Sequence, residues 1–582
     1  MLKSLFSKNL ELLFFLFLVF LSTTSYGQWN GDTLNGGKMS IKGQNLYHTS
    51  FAFADGFGGV IEAYNLSGEN ASTPSNFTIH LQRTSSSGVL QWGSADSGSI
   101  IVRNNANRGM PLLVDAEPDY SGGAYILYNY PSITLTQDSF YLYLQRINEN
   151  GIAAWPGNGV LLSAYQNYEQ DTRGKITTNN TNGVFAMWEN GSAINKKLYV
   201  QKFRNDGSKI WNETGIDICD HPSANGNSSI VTDGEGGLIT IFMDGRDAIY
   251  NSSFHLYNKH GIYAQHIDSS GLKKWGPDGM IAAGITQDSM IITAETDEQN
   301  KILFADGEGG CYFRYTKLSG PYNGISYVQK LTATGSKPWG NYGIGRALLP
   351  DGQFVNIDRI YKKPEGGIAA IYLKRENIMD SGLNTSIWLQ YFNTDSTAVY
   401  SAPKKIGTTY YSFDSGNGLN CDADFTNGGI ATVFFIGDST KQTLKYQRVG
   451  PDGTLLWDSA GKTVIRQKAQ RIQTIKGLEG KTVLRWCDSR NYTVANDRND
   501  MFLTQVDSNG ELPAARATAI SMSNGNWNNP STWLNNIIPG PDDIVVVSHT
   551  VNVTVNTTCY SLSIEPGGNI VVAAGIDLTI LH

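Results

Sequence analysis

The stretch QHIDSSGLKKWGPDG, residues 265–279, holds a Gln, a turn Gly six positions later and a Trp four beyond that. Its strand-like start, Asp and Gly turn and aromatic return describe a β-hairpin. The same spacing recurs with anchors at Gln82, Gln145, Gln201, Gln265, Gln329, Gln390 and Gln447, and a degenerate eighth copy is centred on Thr504 beside Gln505. Successive anchors are 56 to 64 residues apart. Six positions after each stands Gly88, Gly151, Gly207, Gly271, Gly335, Ser396, Gly453 or Gly510. Ten after it stand Trp92, Trp155, Trp211, Trp275, Trp339, Tyr400 and Trp457.

Upstream of each hairpin lies a Gly-bearing turn followed by an apolar β run, as at Gly236-Gly237 before 238–242. Each period therefore holds about four strands, with Lys209-Ile210-Trp211 expected to start the fourth in the third copy. Four-stranded units of this length cannot bury both faces alone, and radial closure is the usual solution. The expected fold is all-β, an eight-bladed β-propeller over residues 28–516. A seven-bladed ring with one unit outside it, two smaller rings and a solenoid are the alternatives. After Gly510 the eighth unit runs into Glu511-Leu512-Pro513-Ala514 and lacks its last strand. The N-terminal segment 29–42, with Trp29-Asn30-Gly31-Asp32, is expected to supply it.

A turn Gly four residues before a Trp resembles the tryptophan-docking repeat of PQQ-type quinoprotein propellers, over roughly residues 29 to 515. The resemblance implies that the repeat Trp side chains dock between blades, and it carries no catalytic residue. The adjacent cysteines of many PQQ dehydrogenases are missing, and no cofactor is expected. Sialidase-type Asp boxes place the turn Gly three before the aromatic, so sialidase activity is not inferred.

From Gly525 the pattern changes, opening with Trp527 and Trp533 and continuing in short alternating strands at 544–547, 550–555, 561–564, 569–572 and 577–581. This β-rich module, 522–582, resembles the β-helical modules of exported surface proteins of Bacteroidota-type bacteria. A few stacked rungs leave an apolar end that needs a cap or more repeats. The sequence stops at His582 with neither, nor a recognisable sorting domain of the type IX secretion kind, so the expectation is a fragment or a module capped by a partner.

Lys3 and Lys8, the apolar run 12–21 and Ser25-Tyr26-Gly27 have the layout of a signal peptide, 1–27. Ten apolar residues are short of the roughly 20 that span a bilayer. The expected mature chain is exported to the extracellular space, cell surface or periplasm, is not inserted in membrane and is monomeric. Losing Lys3, Lys8 and Glu11 takes the formal charge from -7 to -8, which disfavours nucleic acid and anionic lipid as partners. The 63 Gly and 29 Tyr with only 17% charged residues suit a turn-rich β protein. Cys219, Cys311, Cys421, Cys487 and Cys559 are dispersed, which suits buried thiols and leaves one long-range disulfide open.

Localised chemistry is sparse. Asp488 and Arg490, echoed by Asp244 and Arg246, have the offset for a bidentate pair at a strand end, read as a structural ion pair or a ligand contact. His255, His260 and His266 lack zinc spacing. The Asp-Gly-Glu-Gly-Gly runs from Asp233 and Asp306 are read as turns rather than calcium loops. No metal is expected. Loops at 66–77, 129–139, 244–261, 374–386 and 487–500 vary while the hairpin stays constant, which places contact with a glycan or protein there. The expected function is an exported binding or scaffold protein. An extracellular polysaccharide hydrolase or lyase with carboxylates at the propeller centre is the alternative.

Overall fold

In the computed structural model the described residues are 29, 38–41 and 50–580, with breaks in the connections, the longest at 67–77, 293–301 and 489–499. They form two compact units. One comprises Met39–Ser86 and Leu90–Glu511, and the other runs from Leu512 and includes Ser87–Val89 and the described part of the segment up to Lys38.

The first unit is an eight-bladed β-propeller of small antiparallel sheets. Blades are numbered here along the chain, each carrying one hairpin anchor from Gln82 to Thr504. The first strands, from Ser50–Ala54 in blade 1 to Ala469–Lys476 in blade 8, neighbour one another all the way round, and the last lies beside the first. Closure thus leaves the end blades no exposed face to cover, which is why eight thin sheets are stable together. In blade 8 the strands Ala469–Lys476, Thr482–Asp488 and Asp500–Val506 are joined by Lys38–Ile41 as the fourth. Trp29, nine residues before that strand, is buried.

The fourth strands begin later than the hairpin alone suggests. Six of the hairpins make one bridge, such as Phe203 to Lys209, and in blade 3 the chain then swings out through the Trp before pairing resumes at Ile216–Asp217. Lys209 does return against the third strand as expected, but the pairing stops there, and Trp211 belongs to the excursion and not to the fourth strand. In blade 5 the fourth position is reduced to a bridge between Val328 and Ile344.

The buried Gln holds this excursion together. Gln145 Oε1 accepts from the backbone N–H groups of Arg146 and Trp155 at 2.9 and 3.0 Å, and its Nε2 donates to the Trp155 carbonyl at 3.1 Å. Gln265 repeats the pattern with His266, Trp275 and the Gly276 carbonyl. One side-chain amide thus satisfies backbone groups that the interrupted ladder leaves without strand partners, and a buried group left unmade costs about 1–3 kcal/mol.

The Trp joins one blade to the next. The indole N–H groups of Trp92, Trp155, Trp211, Trp275 and Trp339 donate to the carbonyls of Glu149, Asn205, Ser269, Ala333 and Thr394, each four residues past the following anchor. Tyr400 does the same through its hydroxyl to Pro451. The ring packs on the turn Gly two residues further on: a Cβ at Gly510 would lie 1.9 Å from Trp457, and one at Gly151 2.6 Å from Trp92. Gly at 151 and 510 suits both this approach and the positive φ, and blade 6 has Ser396 at the same position.

A second element recurs at the turn between first and second strands. Oδ1 of Asp55, Asp119, Asp233 and Asp306 each accepts two backbone N–H groups at 2.7–2.8 Å. Oδ2 faces the basic residue after the anchor, namely Arg83, Arg146, His266 or Lys330. The Asp-Gly-Glu-Gly-Gly runs use their leading Asp in this way.

The second unit contains parallel strands in three sheets. Thr518–Ile520, Ile544–Val547 and Ser561–Ile564 stack in one, Gly525–Asn526, Thr550–Val553 and Asn569–Val572 in the next, and Thr557–Cys559 with Leu578–Ile580 in the third. This is the stacking of a short β-helix. Trp527 and Trp533 pack edge to face beside the first rung, 5.2 Å apart, with the Trp533 indole donating to the Trp527 carbonyl. Inward residues of the middle rung are sealed, Val547 and Val553 being 0% exposed, whereas their partners in the last rung, Ile564 and Val572, are 52% and 42% exposed.

Candidate functional site

Antiparallel order sends the first-to-second turns and the Gln hairpins to one face of the ring, and the second-to-third connections and blade crossovers to the other. On the hairpin face the repeated side chains are engaged in turns and blade joints. The opposite face is where the copies differ. Blade 3 joins Gly183–Ser192 to Asn195–Arg204 by a tight connection, and blade 6 extends Ile368–Met379, Gly382–Phe392 and Lys404–Ser412 as long paired strands. The segment 374–386, expected as a loop, is therefore mostly continuous hairpin. The 244–261 connection carries a small hairpin of Ile249–Asn251 and Leu256–Asn258. Most of the 66–77, 129–139 and 487–500 connections lie outside the described residues.

Asp244 ends the second strand of blade 4, and its Oδ1 accepts from the Arg246 N–H at 2.7 Å while Oδ2 lies 2.5 Å from Arg246 Nη2. The same Nη2 is 2.9 Å from the Asp278 carbonyl and 3.3 Å from Cys219 Sγ, and the guanidinium lies 3.9 Å above the Tyr263 ring. Burial lowers the basicity of this guanidinium, but the Asp244 carboxylate outweighs it and the pKa is raised. Burial pushes the Cys219 thiol up to about 11, so it is protonated at neutral pH. Asp244 is fully buried and Arg246 is committed to it, so the motif fastens blade 4 to the chain leaving blade 3. Asp488 pairs with Asp500 at the equivalent strand end of blade 8. The Asp488 side chain and all of Arg490 lie outside the described residues, as do His255 and His260. His266 is buried, 2.9 Å from Asp233.

A further repeated feature escaped the sequence reading. Two residues before the anchor, an aromatic ring or His pairs across the sheet with one on the second strand: Tyr64 with His80, Tyr128 with Tyr143, Trp188 with Tyr199, Phe242 with Tyr263, and Tyr315 with Tyr327. Trp486 with Phe502 is the version in blade 8. Their centroids are 5.4–6.2 Å apart with planes within 28° of each other. The signal was present as aromatics at one fixed offset, but strand alternation makes an aromatic there unremarkable.

No family model matches the sequence, and no curated protein matches it. Among solved structures, the endo-arabinase from Bacteroides thetaiotaomicron is 12% identical, covering 49% of this chain and 94% of its own, with a TM-score of 0.24. The GH93 α-L-arabinofuranosidase of Fusarium graminearum in complex with arabinobiose is 9% identical over 58% and 95%, with a TM-score of 0.29. The leech intramolecular trans-sialidase is 9% identical over 84% and 71%, also at 0.29.

Proposed function

We infer that this is an exported binding and scaffold protein, in which a rigid ring presents the connections of one face to an extracellular glycan or protein. The β-helical module serves as spacer or attachment point. The observation that carries this reading is the division of labour between the faces. The constant hairpins are engaged in holding blades together, whereas the connections opposite change in length and structure from blade to blade. A rigid scaffold carrying changeable connections is the usual arrangement for recognition. The test is to probe glycan and protein arrays with the purified mature chain, then repeat with 247–260 and 374–386 replaced by short turns. Binding that is lost with the exchanges supports the reading. Release of reducing ends from a polysaccharide panel would overturn it in favour of a hydrolase or lyase.

A further inference from the structure

We propose that the space over the Trp188–Tyr199 pair of blade 3 is a binding site for a neutral saccharide unit, separate from the loop face and not dependent on it. In blades 1, 4 and 5 the same aromatic pair is covered by other side chains. In blade 1, Tyr64 is covered by Cys487 and Met501 of blade 8. In blade 4, Arg246 lies on Tyr263. In blade 5, Tyr342 packs on Tyr327 at 6.3 Å, with the Lys317 ammonium over Tyr342. Over the pair in blade 3 there is instead a cleft of about 320 Å³, bounded by Leu161 on the fourth strand of blade 2 and by Asn190, Lys209 and Glu213 of blade 3. Gly215 helps shape it, since a Cβ there would meet the Trp188 ring at 2.8 Å.

The chemistry of the lining selects the ligand. Asn190 stands two residues after Trp188, as Asp244 stands two after Phe242, so an amide replaces the buried carboxylate. Ser192 stands where blade 4 has Arg246, so the guanidinium that lies on the aromatic pair of blade 4 has no counterpart at that position. Lys209 donates to the Glu213 carbonyl at 2.6 Å and lies 3.2 Å from its carboxylate, so the rim is charge-balanced. An aromatic wall, an exposed amide offering both donor and acceptor, and an apolar Leu161 opposite suit a ring with C–H faces and equatorial hydroxyls. Among the described residues of the lining, a cation would find no free carboxylate and an anion no free ammonium. The volume lies at the small end of ligand clefts, roughly one or two sugar rings.

The experiment uses the full mature chain and the quenching of Trp fluorescence, confirmed by saturation-transfer NMR. Probes are neutral gluco-, xylo-, manno-, galacto- and arabino-oligosaccharides, with galacturonate oligomers and arginine methyl ester as charged controls. The expected result is saturable binding of at least one neutral series, weakened tenfold or more by Asn190→Ala and by Leu161→Trp, which fills the cleft from a half-exposed position. Circular dichroism checks that each variant folds, and two positions ensure that one misfolding variant leaves the test intact. Replacing 247–260 leaves this binding unchanged, so failure of the loop-face reading and failure of this one are separable. The proposal is overturned if no neutral series binds at millimolar concentration, if a charged control binds as well, or if both cleft variants bind as the parent does.

Discussion

The seam where blade 8 meets blade 1 is held by a buried ion pair, and breaking it gives a quantitative test of ring closure. Arg485 Nε lies 2.8 Å from Glu62 Oε1, with the two side chains 0% and 1% exposed. Arg485 Nη2 adds a bond to Ser50 Oγ at 3.0 Å, and Gln473 Nε2 donates across the same seam to the Ala52 carbonyl at 2.8 Å. Among the described residues, no protein group bonds to Glu62 Oε2 or Arg485 Nη1. Arg485→Met leaves the Glu62 carboxylate buried without its counter-charge, a change that costs about 3–5 kcal/mol. Replacing both partners, as in Glu62→Leu with Arg485→Met, removes the stranded charge and recovers most of that loss. With an unfolding entropy of about 2.1 cal/mol/K per residue, a ring of roughly 470 residues melting as one unit loses about 1 °C per kcal/mol. The single variant should therefore melt roughly 3–5 °C lower by calorimetry, and the double variant close to the parent. A single variant that melts within about 1 °C of the parent, or a double variant as unstable as the single, would refute the assignment of the pair to closure.

Three further outcomes follow from the joints. Gly510→Ala sets a Cβ 1.9 Å from Trp457 at φ +75, whereas Gly234→Ala, at φ +85, meets nothing within 4 Å. Both carry backbone strain of about 1–2 kcal/mol, so a denaturation midpoint that falls much further for Gly510→Ala measures the docking, and equal losses would deny it. Ser396 occupies the turn Gly position at φ +73, so Ser396→Gly should stabilise by up to about 1 kcal/mol, and a clear loss would show that its side chain matters more than its backbone. Burial alone would raise the Asp233 pKa, but hydrogen bonds from His266 and the Glu235 and Gly237 N–H groups outweigh it and hold the carboxyl below its usual range. A depressed carboxyl stabilises the fold above its unfolded pKa of about 3.9, and that stabilisation is lost as pH falls through the lower folded value. Asp233→Asn should therefore be less stable than the parent at pH 7 in urea titrations and converge on it at acid pH, and a gap that persists at the lowest pH would contradict the linkage.

The repeat was legible because the Gln and the Trp each serve one backbone geometry per blade, and a fixed geometry imposes a fixed offset. The same logic made the fourfold strand count and the eightfold ring readable, and it pointed to 29–42 for the strand that residues 511–514 lack. The fourth strands were placed too early because the sequence shows an apolar return at Lys209-Ile210-Trp211 but not that the Trp must turn outward to reach the next blade. In the β-helical module the rungs at Ile544–Val547, Ser561–Ile564 and Asn569–Val572 were read to the residue, while Thr518–Ile520, Gly525–Asn526 and Thr557–Cys559 were too short to stand out. The Glu62–Arg485 pair joins residues 423 apart and depends on registers in two different blades, so no local pattern announces it. The cleft over Trp188 was equally hidden, since it depends on the Arg246 position of blade 4 being a serine, Ser192, in blade 3.

The constant hairpins build the ring, and the proposed recognition is assigned to the connections where the copies disagree. The most direct measurement is calorimetric titration of a ligand drawn from the arrays against two variants, Trp211→Phe in a docking joint and a replacement of 247–260 on the loop face, which keeps the Asp244–Arg246 pair. The account predicts that Trp211→Phe lowers the melting temperature and leaves Kd unchanged, while the loop replacement abolishes binding and leaves the fold intact. Binding that follows the docking Trp and ignores the loop would contradict it.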